Sequence, residues 1–339
     1  MEPSVSVVYV ESTTMSERKK TILDILRSAQ DFVSGEAISR ELGISRNAVH
    51  KHIQSLRRRG YRIIGVSRRG YRLEEEPSRL SMGVVTERTA GTVFSHTFRH
   101  YDELGSTNDE ARRLAGKGVP EGVVVVTECQ TAGRGRLGRR WVSPASKGLL
   151  FSVVLRPDMP LSDAHMLTIV AGVAAAEALE KLVEKRVAIK WPNDLILDDR
   201  KVGGILMEVA GEQDLVEWVV LGIGLNVNTE YREFPVQIRK TATSMMMATE
   251  RCYDRSEVLG DLLASISAHY TYALRNGFDR CLSGFRERDY LYRRTITVET
   301  RQGPVVGTAA GIDDRGALLV ELGQRRIRSF YAGDVTLRR

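Results

Sequence analysis

The 339-residue chain is poor in cysteine, with Cys129, Cys252 and Cys281 only. They are odd in number and widely spaced, which excludes a disulfide framework and a zinc site and leaves each as a packing residue of a chain in a reducing cytoplasm. Only 9 residues are Pro, while 42% are apolar and 27% charged, so disordered and collagen-like classes are excluded too. No apolar run approaches the roughly 20 residues that a membrane-spanning helix needs; the longest are Val123 to Val126 and Leu149 to Leu155. The early run Val5 to Val10 follows Glu2 rather than a basic residue, and no small-residue cleavage site comes after it, so no secretion signal is read. The pattern G-x-x-x-x-G-K-[ST] is missing, which excludes a P-loop. No His, Cys, Asp or Glu cluster has metal-ligand spacing, and the six scattered histidines receive no catalytic role.

What is present is a lopsided charge. Ser16 to Leu73 carries 14 Lys or Arg against 5 Asp or Glu, a net of +9, whereas the other 281 residues sum to −2. A basic block on a near-neutral chain is the electrostatic footprint of nucleic-acid binding. Ile22, Ile25, Leu26 and Ala29 recur at helical spacing, Ser34-Gly35 opens a second helix, and Gly43 ends it. Ser45 caps a third helix, Arg46 to Arg59, whose Val49, Ile53 and Leu56 face inward. Its opposite face carries Arg46, Asn47, His50, Lys51 and Gln54, side chains suited to phosphates and base edges. Beyond Gly60, two alternating runs flank Ser67-Arg68-Arg69-Gly70 as a basic hairpin, so Arg68 and Arg69 join the expected DNA-binding set.

Glu74-Glu75-Glu76-Pro77 breaks this pattern. The expected organisation is a tail without function at 1–15, a winged helix-turn-helix at 16–74, a linker at 75–85, a central α/β domain at 86–290 and a small all-β domain at 291–339. The class is multidomain α+β. The central part alternates helical and strand patterns, with helices near Asn108 to Ala115, Asp163 to Val183 and Glu257 to Leu274, and strands at Val123 to Thr127, Leu149 to Leu155 and near Leu195, Ile205 and Val219. Short strands at Thr295 to Thr300, Gly307 to Gly311, Ala317 to Leu322 and Arg325 to Tyr331 predict a small β-barrel.

The most distinctive segment is Gly133-Arg134-Gly135-Arg136-Leu137-Gly138-Arg139-Arg140-Trp141. It satisfies G-x-G-x-x-G, but Trp141-Val142-Ser143-Pro144 follows where a dinucleotide fold requires a helix, so that reading is rejected. Mobile glycines with guanidinium forks describe a loop that closes over an anion, with Trp141 as a ring to pack or stack. Upstream, Gly105-Ser106-Thr107-Asn108 precedes a helix with hydroxyls and an amide that cap it or bind a polar ligand. Downstream, Lys190-Trp191-Pro192-Asn193-Asp194 holds one lysine at a strand end, where a fixed cation stabilises charge developing on a transferring phosphate.

Those three segments, with Gln130-Thr131-Ala132 ahead of the loop and Gly222 to Asn228 as G-I-G-L-N-V-N, resemble bacterial biotin protein ligases over nearly the whole chain. With a winged helix in front and a C-terminal barrel, the chain is similar to the bifunctional type that also represses biotin genes. The resemblance implies a mixed-sheet ligase domain, an SH3-like barrel, and a two-step reaction through biotinyl-5′-adenylate with biotin, ATP and Mg²⁺. It implies that Ser106, Thr107, Asn108 and Gln130 surround biotin. Arg134, Gly135 and Arg136 close over carboxylate and phosphate, Lys190 and Arg136 act in catalysis, and Trp141, Gly204, Asn226 and Arg338 reach the nucleotide. The implied partners are a biotin carboxyl carrier protein, operator DNA and a second copy of the chain when adenylate is bound; the implied location is the cytoplasm. The competing readings are a lipoate ligase, a DNA-binding sensor of the adenylate, and a ligase whose winged helix no longer regulates.

Overall fold

The computed structural model describes residues 8–11, 17–300, 302–323 and 326–337. At the N-terminal end, helices α1 (Glu17–Ser28), α2 (Gly35–Leu42) and α3 (Arg46–Arg58) bury Ile22, Leu26, Ile38, Val49, Ile53 and Leu56 against one another. Ser34 and Ser45 accept from the Ala37 and Ala48 amides, and Gly43 sits left-handed at φ 61, so each turn of the three-helix unit is fixed locally. An antiparallel hairpin of β2 (Arg62–Val66) and β3 (Gly70–Glu75) follows as the wing. Gly70 is required there: at φ +107, a Cβ would stand 2.0 Å from the Val33 carbonyl oxygen.

The central domain is a mixed eight-stranded sheet. Its strands are β1 (Val8–Glu11), β4 (Thr97–Tyr101), β5 (Val124–Thr127), β6 (Gly148–Leu155), β7 (Ala188–Lys190), β8 (Asp194–Leu197), β9 (Arg200–Glu212) and β10 (Leu215–Asn226), ordered β1-β4-β5-β6-β10-β9-β8-β7. The β1–β4 and β4–β5 pairs are parallel and the rest antiparallel. β6 is buried along its whole length because both faces are covered: Phe151, Val153 and Leu155 point to the main core and Val154 to the opposite layer. The main layer holds α4 (Met82–Arg88), α6 (Met166–Val183), α7 (Met245–Thr249), α8 (Arg255–Asn276) and α9 (Asp279–Arg288), while α5 (Thr107–Ala115) covers the other face. α6 is apolar nearly all round, with Ala171, Ala174, Ala175 and Ala176 buried, since it lies between the sheet and α8.

The last domain is a five-stranded antiparallel sheet, β11 (Thr295–Thr300), β12 (Gly303–Ile312), β13 (Leu318–Leu322), β14 (Arg326–Phe330) and β15 (Asp334–Leu337), ordered β14-β13-β12-β11-β15. The run at 334–337 supplies a fifth strand beyond the four read from alternation. Ile296, Val298, Leu318, Val320 and Val335 belong to the same buried cluster as the central domain, so the two are packed as one body rather than as separate cores.

Two sequence boundaries are corrected. The segment 1–15 contains β1, paired with β4; its remaining residues lie outside the described residues. The linker at 75–85 is shorter than expected, because Leu80 and Val85 sit in the main core and α4 begins at Met82. Burial of Leu80 and Val85, not the acidic run, marks where the central core starts. The junction is ionic: Arg59 at the end of α3 and Arg79 of the linker both pair with Asp102, the former at 3.2 Å. Among the described residues no helix is long and apolar enough to cross a membrane.

Candidate active site

The expected segments converge on one cavity of about 560 Å³ above the β9–β10 part of the sheet. Ser106, Thr107, Asn108, Gln130, Arg134, Gly135, Arg136, Trp141, Lys190, Gly204 and Asn226 all line it; Arg338 lies outside the described residues. The floor is made of glycine. Gly222 and Gly224, two apart on β10, face the same way, and Gly224 pairs with Gly204 on β9. A Cβ on Gly224 would stand 2.5 Å from the Trp141 ring, and one on Gly222 would stand 1.7 Å from Asn108 Oδ1. Bare backbone is therefore what lets an indole and an amide lie on the sheet. Gly222→Ala is expected to cost about 1–3 kcal/mol through this overlap, read as a lower thermal midpoint; an unchanged midpoint would show that Asn108 moves aside freely.

Asn108 is held at every side-chain atom that bonds. Its Nδ2 donates to the Leu206 carbonyl at 3.2 Å and to Glu208 at 3.0 Å, and Ser152 Oγ lies 2.7 Å from its Oδ1. Gln130 Oε1 accepts from the Thr107 amide at 2.8 Å, joining the start of α5 to the strand end that leads into the loop. Toward the other end of the cavity, Trp141 Nε1 and Asn226 Oδ1 are buried without a hydrogen-bond partner among the described residues, while Asn226 Nδ2 donates to the Thr243 carbonyl at 3.0 Å. A buried donor and a buried acceptor left open in a cavity are groups that a ligand satisfies.

The basic loop is folded over this cavity as a small hairpin, with Gly135 N donating to Arg139 O at 2.7 Å and Trp141 N to Gly133 O at 3.0 Å. Leu137, at φ 54 and 74% exposed, forms its tip and points no side chain into the core. Arg136 is partly buried, donating to Asn193 Oδ1 at 3.2 Å and to the Gly333 carbonyl at 3.3 Å. Arg139 pairs with Asp334 of β15, so the C-terminal domain fastens the loop from above. Arg134 lines the cavity with its guanidinium engaged by Asp109 and Glu208.

Lys190 ends β7 beside these groups. Burial lowers its ammonium below the usual lysine value, Asp194 and Asp334 pull it back, and Lys201 and Arg139 add to the lowering. Burial likewise lowers Arg136. Desolvated cations around one space favour a ligand that carries negative charge. Lys201, which the sequence reading missed, reaches the same space, 2.6 Å from Asp194 and 5.6 Å from the Trp141 ring centroid. Glu208 was missed as well. The available signal was strand period: Gly204, Leu206 and Glu208 alternate onto one face of β9.

On the winged helix, Arg46, Asn47, His50 and Lys51 are exposed along α3 and Gln54 is half-buried. Arg68 stands exposed at the wing tip at φ 65. Arg69 instead turns back, 2.8 Å from Asp31 and 4.5 Å from the centre of the Phe32 ring, with Arg72 on the same ring. It pins the wing to the α1–α2 segment while its side chain stays 56% exposed.

Fold and site define an anion-activating enzyme core joined to a DNA-binding type of domain. The Biotin/lipoate A/B protein ligase family model matches residues 104–226, an HTH domain model matches 18–72, and the Biotin protein ligase C terminal domain model matches 294–338. Bifunctional ligase/repressor BirA of Bacillus subtilis is 36% identical over 323 residues, 95% of this chain and 99% of that protein. Its Escherichia coli counterpart is 32% identical over 308 residues, 91% and 94% respectively. The solved biotin protein ligase from Aquifex aeolicus in complex with biotin and ATP is 31% identical with a TM-score of 0.63, covering 72% of this chain and 99% of that one. The chain belongs to the biotin protein ligase family, among its bifunctional ligase/repressor members.

Proposed function

We propose that the protein joins biotin to a lysine of a biotin carboxyl carrier protein at the expense of ATP, and that the same chain represses biotin genes in response to the intermediate. The observation that carries the reading is the convergence of partly buried Lys190 and Arg136 on the one cavity that also holds Asn108 and Trp141. In the first step a biotin carboxylate oxygen attacks the α-phosphorus of ATP and the bond to pyrophosphate breaks, giving biotinyl-5′-adenylate. In the second, the carrier lysine attacks the acyl carbon, AMP leaves with the bonding electrons, and the amine proton is lost. Ser106, Thr107 and Gln130 are assigned to the ring and ureido groups of biotin, with Asn108 beside them as the rigid base. Lys190 and Arg136 take the carboxylate and α-phosphate, whose charge rises as the phosphoryl group transfers. Trp141 offers its ring to adenine, and the open Asn226 carbonyl oxygen suits an exocyclic amine. The loop excludes water from the labile mixed anhydride.

Mg²⁺ accompanies ATP through the phosphates, as it usually does with few protein ligands. Asp194 is already engaged by Lys201, and no group of three or more His, Cys, Asp or Glu among the described residues is placed to hold a metal ion. The test is release of pyrophosphate from ATP on adding biotin, with lipoate offered in parallel. Release with biotin alone supports the reading; release with lipoate alone, or none at all, overturns it.

For repression, the exposed face of α3 enters a major groove while Arg68 of the wing meets the backbone, and two copies joined in the adenylate-bound state span a two-fold operator in the cytoplasm. Arg46→Ala and Lys51→Ala are each expected to reduce the salt dependence of operator binding by about one phosphate contact, whereas Arg69→Ala weakens binding by loosening the wing. Electrophoretic shifts at several salt concentrations check this. Sedimentation with and without adenylate checks the dimer, and a mass unaffected by adenylate would remove that step.

A further inference from the structure

Glu208 has no place in the reaction above, yet its two carboxylate oxygens serve two different parts of the site. Oε2 accepts from Asn108 Nδ2 at 3.0 Å, on the glycine floor. Oε1 accepts from Arg134 in the basic loop at 3.0 Å, with Asp109 engaging the same guanidinium. Arg112 on α5 stands on the other side of these carboxylates, 3.2 Å from Asp109 and 3.9 Å from Glu208. Glu208 is only 19% exposed while Arg134 is 40% exposed, so the pair is shielded on its carboxylate side and open to solvent on the loop side. At the far end of the loop Trp141 lies on Gly224 of the floor; at the near end Glu208 joins Asn108 to Arg134. Without Glu208, Asn108 would still be fixed by Ser152 and Leu206, while the Arg134 guanidinium would keep Asp109 as its partner.

We propose that Glu208 is a positioning residue: by bonding Asn108 with one oxygen and Arg134 with the other, it ties the pocket floor to the basic loop and keeps that loop closed over the adenylate. This rests on the reading that the site makes biotinyl-5′-adenylate. Biotin seated on the floor braces Asn108, Asn108 orients the carboxylate, and the carboxylate holds Arg134 over the anhydride. The effect falls on retention of the intermediate, not on recognition of biotin.

Glu208→Gln separates the two tasks, because its carbonyl oxygen still accepts from Asn108 while its charge toward Arg134 is gone. Wild-type protein and variant are each loaded with adenylate from labelled biotin and ATP, then chased with unlabelled biotin. The variant is expected to lose adenylate about three- to tenfold faster, with biotin affinity within about twofold and an unchanged thermal midpoint. Arg134→Ala also speeds loss, and adding Glu208→Gln to it is expected to add nothing. Equal loss rates in wild type and Glu208→Gln would overturn the proposal, and so would a further increase in the Arg134→Ala background. A wild-type protein that forms no adenylate would overturn the activity instead. In that case limited proteolysis of the ligand-free protein still decides on Glu208, with faster cleavage within 133–140 expected in Glu208→Gln and equal cleavage counting against it.

Discussion

Replacing Lys190 by Ala is expected to lower biotin-dependent pyrophosphate release by about a hundred- to a thousand-fold, the range seen when one preorganised stabilising group is removed. Lys190 is fixed by its surroundings. Its carbonyl accepts from Asn193 N at 3.1 Å, and Trp191 beside it is buried, donating from Nε1 to the Gly316 carbonyl at 3.1 Å in the C-terminal domain. The backbone that carries the ammonium is thereby fixed at the edge of the cavity. Lys190→Arg retains charge but not the point geometry of an ammonium, and is expected to recover only part of the rate. Since burial lowers the Lys190 pKa, wild-type activity should fall on the alkaline side at a pH below that of an ordinary lysine, and this limb should vanish in the Arg variant. A fall of less than threefold in Lys190→Ala, with normal melting, would remove Lys190 from the chemistry.

Arg255→Leu should lower the unfolding free energy of the central domain by about 3–5 kcal/mol, as breaking one side of a buried ion pair generally does. Arg255 is 4% exposed and donates to Glu128 at 2.7 Å, to the Gly148 carbonyl at 3.1 Å and to the Ser78 carbonyl. Glu128, 6% exposed, also accepts from the Leu80 amide at 2.8 Å and lies 3.2 Å from His100 Nε2. Burial alone would raise the Glu128 pKa; the His100 hydrogen bond, the Arg255 charge and the Leu80 amide overcome it and bring it to about 2. A folded-state pKa below the unfolded one contributes stability that is complete above the ordinary carboxylate range and is lost as pH falls toward 2. Wild type should therefore lose this contribution between about pH 5 and 2, while Arg255→Leu should soften at higher pH and Glu128→Gln should show a flatter acid limb. Urea melts across pH 3–7 decide it. Overlapping curves for wild type and Arg255→Leu would mean the hub is not holding Ser78 and Leu80. The hub matters for function because Glu128 lies two residues before Gln130, so the strand that enters the pocket is anchored to the segment that leads from the winged helix.

Much of this was legible in sequence because it depends on neighbours in the chain. The caps at Ser34 and Ser45, the Gly43 turn and the spacing of Val49, Ile53 and Leu56 are local, and the winged helix followed from them. The loop of glycines and arginines and the lysine at a strand end each announced a site through local composition, while Gly222 and Gly224 entered through the family resemblance. Lys201 was not legible and Glu208 only through the strand period of β9: each is an ordinary charged residue on a strand, and its bonds to Asp194 or Asn108 come only with the tertiary structure. The partners of Arg69, Asp31 and Phe32, were not legible for the same reason, since they lie 37 or more residues earlier.

The sequence by itself determined the order of the three parts, the basic head and the residue types that meet an anion, because charge, turn chemistry and periodicity are carried by short stretches of chain. Only the tertiary structure decided which cations stay free, which are spent on carboxylates, and that the C-terminal sheet shares its core with the ligase domain. Those outcomes depend on which strands become neighbours and which side chains lose water there, and neither is encoded within any single stretch.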